Sequence, residues 1–390
     1  MSKKTAPRTA MKSVPKTKKP IKNAVWCIKV GTTTFRAIHC QKGDTPGTIN
    51  ADKFAVIEYP QPLSNSKTDS QTLVSDALQQ FLANEKICST DSVALCLPGQ
   101  SGMTRFATLP PVATVKIKKI IEFEVRQQIP YPLDQICWDY LLLPGANEAF
   151  GFAPSPDVLI SAVKRDTAND ATAPFTSMNI LIDLIQLSPL AFANFWTFDY
   201  LHRELKTTDA YEEQSPPPFT ALLSMGTQTS DLVITNGYRL WMRNLPLGGW
   251  HFTKALAKEL KLTFGKAEYL KRNIAVCEDQ AMILDELEPV VDDLLQEITR
   301  SIKYFQSLNK KVTIERLLCF GNALKIPKLP ERLNETKLPA VMWAGFDRIV
   351  GNITTEPRFQ ENVGGFASCY GLAVQALGWG NINTNLLPKK

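Results

Sequence analysis

From residue 24 onward, short apolar runs alternate with glycine, threonine and proline punctuation, and helical periodicity appears only later. Residues 24–30 read as a buried strand, Gly31-Thr32-Thr33 as a turn and 34–41 as a second strand. A third strand is predicted over 53–59, and a helix over 70–84 places Leu73, Ala77, Leu78, Phe81 and Leu82 on one face. Three strands followed by a helix open a mixed sheet with a crossover.

Two short strands follow, 92–97 and 103–109, divided by Pro98-Gly99-Gln100-Ser101-Gly102. Pro110-Pro111 introduces a helix over about 113–128, with Ile117, Ile120, Ile121 and Val125 on one face, and Ile129-Pro130-Tyr131-Pro132 stops it. Strands at 138–143 and 157–163 complete a small α+β insert spanning 90–165. A strand is expected over 180–187, then a helix to about residue 205, with Ser188 as N-cap and Pro189 at its first position. Residues 206–218, ending in three prolines, read as a linker.

The opening pattern then returns. Strands are predicted at 220–225, 230–235 and 239–244, with Gly226-Thr227-Gln228-Thr229 as the first turn and Asn236-Gly237 as a hairpin. Helices are expected at 251–261, 263–272 and 289–308, the last striped by Val291, Leu294, Leu295, Ile298, Ile302 and Phe305. A strand over 316–320 ends at Gly321-Asn322, and a closing helix covers 367–377. The two glycine–threonine turns lie 195 residues apart in matching positions, which points to a duplicated fold. Such a turn aims N–H groups and hydroxyls at one spot and suits a phosphate. Two of them form the walls of a cleft, and Gly321-Asn322 lies where a purine would rest.

Composition changes this picture little. The 390 residues are 44% hydrophobic and 21% charged, ordinary for a soluble protein of more than one domain. The formal charge of +6 belongs to residues 1–22, which hold eight cations and no acid; the remainder carries −2. That proline-broken basic segment, the 1–23 tail, reads as disordered, with anionic lipid as its candidate contact and no specific nucleic acid expected. Eight cysteines without a CxxC pair read as reduced thiols, not as a metal site. Residues 178–196 are broken by Asp183, Gln186 and Ser188-Pro189 and do not read as a membrane span. His39, His202 and His251 fall in no catalytic spacing, so no catalytic residue is assigned.

Three blocks carry a family resemblance. Residues 121–134 read Ile-Glu-Phe-Glu-Val-Arg-Gln-Gln-Ile-Pro-Tyr-Pro-Leu-Asp and are followed by Asp139-Tyr140. Residues 245–249 read Leu-Pro-Leu-Gly-Gly, before Leu256, Leu260 and Lys-Ala-Glu-Tyr-Leu-Lys-Arg at 266–272; the third block is Glu-Ile-Thr-Arg-Ser-Ile-Lys-Tyr-Phe at 297–305. In order and spacing they resemble the type IV pilus assembly protein PilM family, related to the division protein FtsA within the actin-like ATPases, over about 24–377.

The resemblance implies an α/β, duplicated ribonuclease H-like fold, two lobes around a nucleotide cleft. Its core subdomains would be 24–89 with 166–205, and 219–250 with 314–378; the insert would be 90–165, a helical subdomain 251–313, and a separate tail 379–390. It implies a scaffold of pilus or type II secretion assembly at the cytoplasmic face of the inner membrane, binding the N-terminal peptide of a PilN-like membrane protein. Gly31, Thr32 and Thr33 would face one side of a triphosphate, and Gly226, Thr227 and Gln228 the other. Glu268 and Lys271 would approach ribose and adenine, and Gly321 and Asn322 would form the adenosine turn. Gln128, Ile129, Pro130, Tyr131, Pro132, Leu133 and Asp134 would border the partner groove.

The phosphate turns of actin-like ATPases carry an aspartate two residues before the glycine, where this chain has Lys29 and Ser224. Neither side chain holds the water shell of Mg²⁺ as a carboxylate does, so no Mg²⁺ and no ATP turnover above background are expected. Two readings of ATP stay open: Lys29 meets a phosphate directly, or the cleft is vestigial and Lys29 closes it through an ion pair. An active actin-like ATPase and an FtsA-like division protein are the alternatives; the latter needs a C-terminal amphipathic helix that 378–390 lack. Asn385, Leu386, Leu387 and Pro388 resemble the peptide by which PilN docks. The tail is therefore expected to occupy the partner groove of its own molecule or of a neighbour through self-association.

Overall fold

A computed structural model describes residues 23–63, 67–143, 152–153, 155–201, 217–309 and 312–388. The basic segment 1–22, most of the 206–218 linker and residues 389–390 lie outside them. Strands β1 (Ala24–Val30), β2 (Thr34–Lys42) and β3 (Ile49–Glu58) form an antiparallel meander. Helix α1 (Lys67–Asn84) crosses over, and β4 (Asp91–Leu97), buried at every position, returns parallel to β1.

The insert follows: β5 (Gly102–Thr108), β6 (Val112–Ala113), α2 (Ile117–Gln128), β7 (Ile136–Leu142), β8 (Phe152–Ala153) and β9 (Asp157–Lys164). Its antiparallel sheet runs β5-β9-β7. The predicted face of α2 buries Ile117, Ile121 and Val125 in a core of the insert's own.

Helix α3 (Arg165–Ser177) continues directly from β9 and was not legible in the pattern. It buries only Ala168, Pro174 and Phe175 among Thr, Asn and Asp, too sparse a stripe to register as amphipathic. Strand β10 (Leu184–Leu187) is half the expected length, because Ile180 N–H instead bonds back to Phe175 C=O. In α4 (Ser188–Phe195) all eight residues are buried, and a π-turn extends it to Tyr200. Proline begins this helix as expected, but Ser188 does not cap it; its hydroxyl faces Lys29.

The second lobe repeats the plan. Strands β11 (Phe219–Met225), β12 (Ser230–Thr235) and β13 (Leu240–Leu245) form the meander. Helices α5 (Gly249–Glu259), α6 (Phe264–Arg272), α7 (Gln280–Asp285) and α8 (Glu288–Leu308) precede β14 (Ile314–Phe320), which lies parallel to β11. Every apolar residue predicted for the stripe of α8 is buried. Then come α9 (Leu329–Leu333), β15 (Ala340–Met342), β16 (Ile349–Val350) and α10 (Pro357–Ala376). The sheets run β10-β4-β1-β2-β3-β16 and β13-β12-β11-β14-β15.

The structure draws the lobes differently from the expected boundaries. Residues up to 378 were assigned to the second lobe, yet β16 pairs with β3, and Trp343, Phe346, Phe359 and most of α10 join the first lobe's core. Helix α10 also begins ten residues before the expected start at 367, its polar first turns hiding it. Within the C-terminal segment, Ile382 and Leu386 are buried in that same core.

All eight cysteines are free, and six are buried. Burial pushes the Cys96 thiol up to about 11 and those of Cys319 and Cys369 up to about 12, so none is a thiolate at neutral pH. A native thiol titration at pH 7.5 is expected to count the exposed Cys88 and the half-buried Cys277 quickly, and the others only after unfolding. Fast reaction of four or more would contradict this packing. Among the described residues no helix is long and apolar enough to cross a membrane, and no cluster of side chains suits a metal ion.

Candidate functional site

The two glycine turns meet where β1 and β11 end. Each is closed from within: Gly31 N–H donates to Thr34 C=O (2.9 Å) and Gly226 N–H to Thr229 C=O (3.0 Å). A Cβ on either glycine would lie within 2.9 Å of that same carbonyl, so the tight turn requires glycine. Across the cleft the hydroxyls of Thr33 and Thr227 are 3.2 Å apart. The carbonyls of Thr32 and Thr33 accept from Leu63 and Tyr59 N–H, and those of Gly226 and Thr227 from Gly249 and Trp250 N–H. The first N–H groups of α5, which would suit a phosphate at a helix N-terminus, are thus spent on the second turn.

Gly321 (φ +116°) approaches so closely that a Cβ would sit 2.3 Å from Met225 C=O, so the third turn abuts the second. Asn322 begins the short helical turn after it. Glu268 and Lys271 come together but face one another: Lys271 Nζ donates to Glu268 Oε2 (2.7 Å), Thr253 Oγ1 (2.8 Å) and Gly249 C=O (3.1 Å). Burial raises the Glu268 carboxyl, but Lys271 and Thr253 outweigh it and hold the group below the usual carboxylate range. Desolvation lowers Lys271 against the pull of Glu268.

Lys29 lies on the inner face of β1. Its Nζ donates to Ser368 Oγ on α10 (3.0 Å) and to Ser188 Oγ at the start of α4 (3.4 Å). Across the cleft stands Asp231, which the sequence reading missed. It is the direct cross-strand partner of Ser224 and therefore shares its face of the sheet. Burial pushes its carboxyl above the ordinary range, opposed by the amide of Asn244 (2.9 Å) and the charge of Lys29. Counting back equally from the tight hairpin turn would have found it. Gly99 lets the first lobe approach this carboxylate, since a Cβ there would lie 2.4 Å from Asp231 Oδ1. Arg36, also missed, is the cross-strand partner of Lys29; burial lowers its guanidinium, and its Nε has no hydrogen-bond partner.

These residues do not fit a magnesium-bound triphosphate. Cations stand beside the first turn, the carboxylate facing it feels the charge of Lys29, and both turns touch through their threonines. No step is derived through such a group.

The other predicted region lies away from this cleft. Arg126 and residues 129–134 line an open depression of about 570 Å³ on the insert. Ile129 is buried, Tyr131 carries Lys164 Nζ 4.4 Å over its ring, and Gln128 bonds Glu124 on its own helix (2.8 Å). Asn385–Pro388 do not enter that depression; Asn385 N–H donates to Asp139 on β7 (3.1 Å), and Leu386 is buried beside β10.

A family model described as type IV pilus assembly protein PilM matches residues 27–377. Among solved structures, the fold is similar to a PilM-PilN type IV pilus biogenesis complex: TM-score 0.75, 18% identity, 92% of this chain and 99% of that one. The ethanolamine utilization protein EutJ from Carboxydothermus hydrogenoformans follows at TM-score 0.49 and 11% identity, over 91% of this chain and 89% of that one. The fold is that of the PilM structure.

Proposed function

The chain belongs to the type IV pilus assembly protein PilM family, and from that premise we propose that it is an adaptor that binds a membrane partner and does not turn over ATP. The observation that carries this is Lys29, held by Ser188 and Ser368 and facing Asp231 where a metal-binding carboxylate would stand. The cleft then serves as a joint between lobes, with Lys29 held by protein hydroxyls opposite Asp231. The partner is a PilN-like inner-membrane protein, whose cytoplasmic N-terminal peptide meets the insert around residues 128–134. The solved relative assembled with PilN supports that choice. This role places the protein at the cytoplasmic face of the inner membrane, in pilus assembly or a related secretion system.

The test has two arms. A labelled peptide from the cytoplasmic N-terminus of the PilN-like protein is expected to bind the purified chain saturably, and Asp134→Arg to weaken it about tenfold. Phosphate release from Mg-ATP is expected at background, with no shift of the thermal midpoint on adding nucleotide. Turnover that disappears in the Thr33→Ala, Thr227→Ala double variant would overturn the inert cleft. Failure of the peptide to bind at high micromolar concentration would overturn the adaptor role.

A further inference from the structure

Helix α2 carries two faces of different chemistry. Ile117, Ile121 and Val125 fill the core of the insert. At about 100° per residue, Lys119, Phe123 and Arg126 fall on the opposite face, and all three are exposed. The short helical turn before α2, Thr114–Lys116, adds exposed Val115 and Lys116, and Lys118 lies exposed on the flank. Phe123 is 57% exposed and Val115 85%. Single apolar side chains at a surface need no explanation. Here the two are set among four cations within about three helical turns.

Among the described residues, Lys116, Lys118, Lys119 and Arg126 take part in no ion pair. The acids of α2 are Glu122, at the edge of this stripe, and Glu124, which accepts from Gln128 (2.8 Å) on another side. Residues 23–390 carry a net charge of −2, so the positive surface is local and does not follow from the charge of the body. Beyond Arg126 it meets the open depression, whose one acid among the lining residues is Asp134.

We propose that the outer face of α2 is a docking surface for an anionic lipid bilayer. Lys116, Lys118, Lys119 and Arg126 meet the headgroups, while Phe123 and Val115 enter the acyl boundary. Charge complementarity selects this occupant, since each basic residue near an anionic membrane strengthens binding by about fivefold. Shape agrees with it. The face is a single outward helix rather than a groove, and a flat surface takes a protruding ring and its flanking cations together. Because the insert's core lies on the other side of α2, the contact requires no unfolding. That the bilayer is the inner membrane rests on the adaptor role proposed above; attraction to anionic lipid does not.

The basic segment 1–22 has the same candidate contact, so the reporter sits on α2 itself. Full-length Phe123→Trp is mixed with vesicles of phosphatidylglycerol and acyl-brominated phosphatidylcholine, whose bromines quench an indole only when it penetrates. The emission added by residue 123, taken as the difference from wild type, is expected to shift to the blue and to be quenched. Vesicles of the brominated phosphatidylcholine alone are expected to leave it unchanged. Adding Lys116→Glu and Lys119→Glu is expected to raise the lipid needed for quenching by about tenfold or more, with segment 1–22 intact. Should the reversals not fold, Lys116→Gln, Lys119→Gln takes their place, with about tenfold expected again.

Emission from residue 123 that stays unquenched, whether or not the protein sediments with the vesicles, overturns the proposal. Quenching that survives the charge changes overturns it too, because the cations then play no part. A blue shift that grows with protein concentration in the absence of lipid marks a contact between copies and overturns the lipid assignment. Binding of the PilN-like peptide in solution involves no vesicle, so the adaptor role stands or falls separately.

Discussion

Lys29→Asp is expected to destabilise the protein by about 3 kcal/mol and to bring no ATP hydrolysis, although it installs the carboxylate that actin-like ATPases carry at that place. The new carboxylate would lose the cation's bonds to Ser188 and Ser368 and face Asp231 with like charge. The figure sits at the low end for leaving a charge unpartnered in a protein interior, because both residues are half-buried. Burial already raises the Asp231 carboxyl, and a second negative charge raises it further. A carboxyl raised on folding contributes stability below its unfolded pKa and loses it as pH rises through the folded value. The deficit is therefore largest at neutral pH and narrows toward about pH 4. Urea unfolding at several pH values and a phosphate-release assay check both halves. Adding Asp231→Asn is expected to recover at least half of the loss. Unchanged stability, or Mg²⁺-dependent turnover in Lys29→Asp, would show that the cleft is not the electrostatic joint proposed here.

Gly371→Ala carries an effect of similar size from packing alone. Helices α10 and α4 cross in backbone contact there: an added Cβ would lie 1.8 Å from Ala191 O, 2.6 Å from Ala191 C and 2.9 Å from Phe195 N. Ordinary contact begins near 3.4 Å, so the helices must part, and both are buried along most of their length. A loss of about 3 kcal/mol is expected in urea unfolding, the upper range for overpacking. The strain also reaches the bond from Tyr370 to Asp199 and the grip of Gln375 on Thr384. The control is Gly265→Ala in α6, where an added Cβ meets nothing within 4 Å. The same methyl group there is expected to stabilise by up to about 1 kcal/mol through helix propensity. A Gly371→Ala protein as stable as wild type would show that the helices can separate freely.

Much of the fold was legible because its signals are local. Continuous apolar runs marked β1, β4 and β11, the 3.6-residue stripe marked α8, and glycine–threonine pairs marked the turns. The misses share a physical cause. Helix α3 buries too few side chains to show a stripe, α10 starts with polar turns, and β16 is a two-residue strand whose pairing with β3 bridges 300 positions. Its place in the first lobe follows from packing that no local window contains.

For the candidate site, the sequence by itself determined the residue types: glycines at both turns, a lysine and a serine where carboxylates would bind metal, and an Asn-Leu-Leu segment near the C-terminus. Only the tertiary structure decided what those types face. Strand register set Asp231 beside Ser224 and Arg36 beside Lys29, and lobe packing brought Ser368 to Lys29 from 339 residues away. The C-terminal segment was expected in a groove bordered by residues 128–134, and the structure seats it on β10 with Asp139 of the insert. Side-chain chemistry is fixed residue by residue along the chain, whereas partners are set by closures over hundreds of residues, whose entropy the whole core must offset together.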